Sequence, residues 1–125
     1  MLKSIFYVAV GSAIGGVCRY LLQQAIQKRV LVNIPYGTLV VNILGCFVIG
    51  VVFGLAAKGN VLSPMARLFL ATGICGGFTT FSSFMMENYS LMNEGAVLNA
   101  FLYVALSLFV GYVATVAGIW TVKLI

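Results

Sequence analysis

"ATGICGGFTTFSSFMMENYS", residues 71–90, interrupts a chain that is otherwise almost continuous apolar sequence. Gly73, Gly76 and Gly77, the adjacent Thr79 and Thr80, and Ser82 and Ser83 stand where a plain apolar helix would simply continue. Ser63 and Pro64 are an N-cap and first-turn signal. A helix begun there reaches Gly76 about 18 Å along, near the middle of a hydrocarbon core about 30 Å thick. Each glycine costs about 1 kcal/mol against Ala in a helix interior, and the two threonines are β-branched, with hydroxyls that compete for backbone groups. The segment is therefore expected to break around residues 75–80. At such depth freed backbone groups persist only where they find partners, and exposed carbonyls suit a cation such as Na⁺. A glycine kink bonded by neighbouring helices is the competing reading.

The rest of the chain explains why that depth matters. Of 125 residues, 62% are hydrophobic and only 7% charged, where soluble domains carry about 25% charge. This is the composition of an all-α membrane protein. A helix crosses a bilayer with about 20 apolar residues, and four such stretches are present, at 4–27, 36–57, 64–92 and 96–122. They leave no room for a soluble catalytic domain, so residues 1–125 are expected to form one four-helix transmembrane domain. None of the stretches alternates with the period of two that barrel strands need. The first continues through Arg19 and Tyr20 and is read as a retained helix rather than a secretory leader. Cys18, Cys46 and Cys75 lack metal-type spacing and are read as small packing residues.

The net charge of +5 is scattered, so no patch for nucleic acid exists. Four crossings put both termini on one face with Lys3, Lys58, Arg67 and Lys123, against Arg19, Lys28 and Arg29 towards the other. A bias of four to three barely sets orientation. Insertion either way up, with pairing of opposite copies into an antiparallel dual-topology homodimer, stands beside the plainer reading of one weakly preferred orientation. Four helices also fill their own centre with side chains, so a conducting route calls for more than one subunit. Gly11 with Gly15, and Gly50 with Gly54, form small-xxx-small spacings for close helix packing.

Polar residues at membrane depth face a neighbouring helix or a cavity. In "YGTLVVNILGCF" Asn42 offers two amide donors and an acceptor about 9 Å into its span, as interhelical glue or as a pathway group. Tyr103, Ser107, Gly111 and Thr115 recur every four residues and draw a hydroxyl stripe along the fourth helix, although Thr115 can also satisfy itself on the carbonyl one turn back. Phe78, Phe81 and Phe84 gather loosely on one face after the expected break. Such stripes are usually core, but ring edges are electropositive and can hold a desolvated anion without trapping it. Ser82 and Ser83 add donors. Beyond the first turn of each span only Arg19 and Glu87 are charged, and there is no His. This leaves no acid and base pair for an enzyme, and the first helix lacks the deep carboxylate of a proton-coupled cation exporter.

"GGVCRY", "YGTLVVNILGCF" and above all "GICGGFTTFSSF" resemble the signature segments of the Fluc-type (CrcB-type) fluoride channels, and the likeness covers essentially the whole chain. The resemblance implies an antiparallel homodimer in the cell (inner) membrane with two pores that pass F⁻ passively and reject Cl⁻, so that cells shed fluoride. It implies a Na⁺ ion at the dimer interface, held by main-chain oxygens of Gly76 and Thr79 from each subunit. Phe81 and Phe84 correspond to the family's phenylalanine box, Asn42 to its pore asparagine, Tyr103 and Ser107 to its fourth-helix pore residues, Ser82 or Ser83 and Thr115 to polar-track positions, and Arg19 to a vestibule arginine. One departure is Ser82-Ser83 where the family often has Ser-Thr, which keeps a hydroxyl. The alternatives are a dual-topology small multidrug-type exporter and a purely structural membrane subunit.

Overall fold

The computed structural model describes residues 1–29, 34–59 and 61–125. The chain is all-helical. Helix α1 spans Leu2–Gln27 and α2 spans Tyr36–Ala57. The third crossing is composite: α3 (Pro64–Arg67), a π-helical stretch (Leu68–Cys75), α4 (Gly76–Phe78) and, after an interruption, α5 (Phe81–Asn93). Helix α6 spans Val97–Lys123. Among the described residues four helical spans are long and apolar enough to cross a membrane, with the third bent part-way. The chain is a multi-pass membrane protein. The expected spans hold to within two residues at each end.

The third crossing opens as its sequence predicts, with Ser63 Oγ accepting the Ala66 N–H at 3.1 Å and Pro64 in the first turn. The π-helical stretch is the unforeseen element: its wider turns replace the ordinary ladder over eight residues just before the break, a geometry that is rare and often found beside functional sites.

Two close pairings build the scaffold. The first sets α1 against the π-helical stretch and α4, and the second, the more extensive, sets α2 against α6. Both run through glycine. A Cβ on Gly15 would strike the Ile74 carbonyl oxygen and come within 2.9 Å of the Phe78 nitrogen, and one on Gly50 would strike the Thr115 carbonyl oxygen. These contacts are to backbone, which cannot swing aside, so the small-xxx-small spacings serve packing within one subunit. A smaller core of Leu39, Phe84, Leu91, Ala100 and Tyr103 ties α5 to α2 and α6. Much of α5 is otherwise open: Phe81, Met85, Met86, Tyr89 and Met92 are all exposed in the subunit.

Candidate functional site

The third crossing loses its helix at two residues. Phe78 is the last helical position of α4, and Thr79 (φ −82°, ψ 158°) and Thr80 (φ −147°, ψ 114°) are extended. The break thus lies at the far end of the expected window 75–80, beyond the glycines, which remain helical. Helix α5 restarts with Thr80 as its N-cap, whose Oγ1 accepts the Ser83 N–H at 3.2 Å.

Where the backbone hydrogen bonds of the break go decides its chemistry. Thr79 turns back on itself, with both its N–H and its Oγ1 donating to the Cys75 carbonyl at 3.0 Å. Thr80 is held by one side chain from α2: its N–H donates to Asn42 Oδ1 at 2.8 Å, and Asn42 Nδ2 donates back to the Thr80 carbonyl at 3.1 Å. From α1, Arg19 Nε donates to the Gly77 carbonyl at 3.4 Å. In an uninterrupted α-helix the Thr80 N–H would close on the Gly76 carbonyl and the Ser83 N–H on that of Thr79. Both donors are diverted, one to Asn42 and one to the Thr80 hydroxyl, so both carbonyls lose their α-helical partner. Gly76 and Thr79 are the two residues the resemblance assigns to Na⁺. Both line a cavity of about 400 Å³ whose walls also include Asn42, Cys75, Thr80 and Phe81. Neutral main-chain oxygens freed beside a cavity are a donor set that fits a hard alkali cation.

The phenylalanines divide. Phe84 is 6% exposed and packs edge-on to Tyr103, with centroids 5.0 Å apart and planes at 67°. Phe81 is 71% exposed and stands at the cavity mouth, its centroid 5.9 Å from that of Phe84. The loose common face expected of them is split, because α5 turns Phe84 into the subunit and leaves Phe81 outside it.

Beside the break a chain of hydrogen bonds links α1, α2, α5 and α6. Arg19 Nη1 donates to Gln23 Oε1 (3.1 Å), and Gln23 Nε2 to Thr38 Oγ1 (2.8 Å). The Thr38 hydroxyl then donates to Glu87 Oε2 (2.9 Å), and Tyr103 Oη to Glu87 Oε1 (3.2 Å). Thr38 and Tyr103 are essentially inaccessible, at 1% and 0% exposure. Satisfied by these hydroxyls, Glu87 is held inside the subunit rather than loose near a membrane end. Arg19 likewise folds back onto the break instead of reaching for the second face. Gln23 and Thr38 were not singled out by sequence reasoning. The available signal was Glu87 itself, since a carboxylate in lipid demands donors and "YGTLVVN" contains one.

The fourth-helix stripe is mixed. Ser107 Oγ is enclosed and has no hydrogen-bond partner among the described residues. Thr115 Oγ1 donates to the Gly111 carbonyl at 3.1 Å, the self-satisfied outcome. Ser82 is exposed and Ser83 half-buried on the first turn of α5. The structure thus gathers Arg19, Asn42, Gly76, Thr79, Phe81, Phe84 and Tyr103 about the break. Of the cysteines only Cys75 is fully buried; Cys46 is half-buried and Cys18 exposed, so the packing role expected of Cys18 is not filled within the subunit.

Residues 6–119 match the family described as "CrcB-like protein, Camphor Resistance (CrcB)". A protein of Flavobacterium psychrophilum named "Fluoride-specific ion channel FluC" is 48% identical over 122 residues, 98% of each chain. Proteins of the same name from Azobacteroides pseudotrichonymphae, 42% identical over 94% of each chain, and from Chlorobium chlorochromatii, 45% identical over 92% of this chain and 88% of its own, are similar along their length.

Proposed function

Because the chain belongs to the CrcB-like family, we propose that it is a passive, fluoride-selective channel that lets F⁻ leave the cell. The observation that carries this reading is the 48% identity, over 98% of the chain, to a relative named for fluoride conduction. The chemistry around the break supports it. F⁻ is small and strongly hydrated, so a narrow route has to replace its water with donors of moderate strength. Amide, hydroxyl and ring-edge groups are what cluster here: Asn42, Tyr103, Ser107 with its unengaged hydroxyl, Phe84 edge-on within the subunit and Phe81 at its surface. Each polarises towards an anion without fixing it, as a lysine would. Ser82, Ser83 and Thr115 are weaker members of the same route, and Arg19 supplies positive charge on the way to the break. No observation favours the exporter reading, since α1 carries no carboxylate.

The working unit in this proposal is an antiparallel homodimer with two pores and a two-fold axis in the membrane plane through the break. A single subunit leaves Phe81 and Gly76 exposed at the break, so its route has only one wall. The near-even charge distribution permits both orientations. The carbonyls of Gly76 and Thr79 from both copies would hold Na⁺ on the axis, and the ion would supply positive charge against the converging carbonyl dipoles. This chain's residues prepare that site through the Asn42 clamp and the Thr80 cap, which remove the competing N–H donors.

The experiment is direct. Liposomes containing only the purified protein and loaded with fluoride are expected to release it rapidly to a fluoride electrode, while chloride-loaded liposomes retain their anion. Equal release of both ions, or no release of fluoride, would overturn the reading.

A further inference from the structure

The two ends of the subunit differ in charge. Lys3 opens α1, Lys58 follows α2, Arg67 closes α3 and Lys123 ends α6, and all four are exposed at the same face of the four-crossing chain. The two acidic side chains, Glu87 and Glu94, lie within and just after α5, towards the opposite face. The first face therefore carries four basic side chains and no acidic one. Arg67 lies against an aromatic ring instead of a carboxylate, its guanidinium carbon 4.6 Å from the centroid of Phe53 on α2. Contact with the ring holds the planar group in place and leaves N–H donors along its edge for an oxyanion.

Both residues line a cavity of about 560 Å³ between α2 and the start of the third crossing. Its lining joins Ser63 and Arg67, where the span meets the headgroups, to Phe53, Leu68 and Ala71 further into the membrane. A free phosphate would use only the first set. A phospholipid uses both, because its phosphate and its upper acyl carbons arrive as one molecule, and basic pockets between transmembrane helices hold anionic headgroups in this way. We propose that the cavity binds one anionic phospholipid, with the phosphate on Arg67 and the first acyl carbons against Phe53, Leu68 and Ala71. The charge of the face selects among lipids. Choline and ethanolamine headgroups bring a cation to a surface that already holds four, whereas phosphatidylglycerol brings only hydroxyls. A phosphate seated there ties the first turn of the third crossing to α2 just before the π-helical stretch, so the lipid steadies the half of the crossing that leads to the break.

The test uses the full chain in a neutral detergent, with native mass spectrometry counting the lipid kept after addition of phosphatidylglycerol or phosphatidylcholine. One phosphatidylglycerol per subunit is expected, held about tenfold more tightly than phosphatidylcholine, the worth of one charge-assisted hydrogen bond. Arg67→Gln is expected to erase the difference and Phe53→Leu to reduce it several-fold, while Lys28→Gln, at the opposite face, leaves it unchanged. Phosphatidylglycerol held as tightly by the Arg67→Gln protein, or an equal loss in Lys28→Gln, overturns the proposal. So does inorganic phosphate that competes as well as the lipid, since the cavity would then serve the free anion. In the otherwise native chain, a photoreactive phenylalanine analogue at Leu68 is expected to cross-link phosphatidylglycerol; a cross-link to a second copy instead overturns the proposal, because protein then covers the cavity. These readouts do not depend on fluoride flux, so a failed lipid site leaves the channel reading standing, and the reverse.

Discussion

Removing the Asn42 amide tests whether that one side chain holds the break open. Asn42→Ala deletes both bonds to Thr80, the 2.8 Å acceptor and the 3.1 Å donor, and leaves a half-buried N–H and carbonyl beside the break cavity. A lost hydrogen bond costs about 0.5–1.5 kcal/mol, so the two half-buried bonds set a loss of about 1–3 kcal/mol against a typical total stability of about 5–15 kcal/mol. Asn42→Asp keeps an acceptor for the Thr80 N–H but loses the donor and opposes the Thr80 carbonyl with a negative oxygen. It is expected to retain part of the stability while blocking fluoride by repulsion. The assay is denaturant titration of the purified protein in mixed micelles beside fluoride-electrode efflux. An Asn42→Ala protein within about 0.5 kcal/mol of the parent would refute the clamp, and normal conduction by Asn42→Asp would remove Asn42 from the anion route.

Phe81→Ile is expected to reduce fluoride flux sharply with little change in subunit stability, because the ring is mostly exposed; undiminished efflux removes it from the pathway. Phe84→Ile also forfeits the edge contact with Tyr103, worth about 0.5–1.5 kcal/mol beyond burial, so both flux and the unfolding midpoint should fall. Gly15→Ala drives a methyl into the Ile74 carbonyl and is expected to unseat α1 from the third crossing, read as loss of monodisperse protein on size exclusion. Adding two lysines to the turn that follows Lys58 widens the bias from four against three to six against three and is expected to impose one orientation and abolish flux when that variant is expressed alone, with recovery on co-expression of a chain biased the other way. Retained activity in the single biased variant would refute the antiparallel assembly.

The glycine and threonine cluster marked the break because local chain physics suffices there: glycines weaken the helix and β-branched hydroxyls offer rival bonds. The break falls at Thr79 and Thr80, inside the expected window 75–80 but beyond the glycines. Gly73 and Gly77 stay helical because α1 packs against them, a use of glycine that sequence cannot distinguish from helix breaking. Asn42 was legible as a polar group needing a partner, but its partner, 38 residues away, was not. Glu87 stood out as the lone carboxylate within a span, nearer its end than its centre, yet Thr38 and Gln23 looked like ordinary polar residues until folding brought them within bonding distance.

Composition alone determined that the chain lives in lipid as four helices, because about 20 apolar residues can satisfy their backbone there only by coiling. The order of residues 71–80 also marked one helix as the one to fail midway, since its paired threonines carry hydroxyls that compete for backbone groups. Tertiary structure decided which carbonyls the failure releases. That choice depends on where the displaced N–H groups are captured, and the captors, Asn42 from another helix and the Thr80 hydroxyl across the break, take their places only when α2 and α5 are packed.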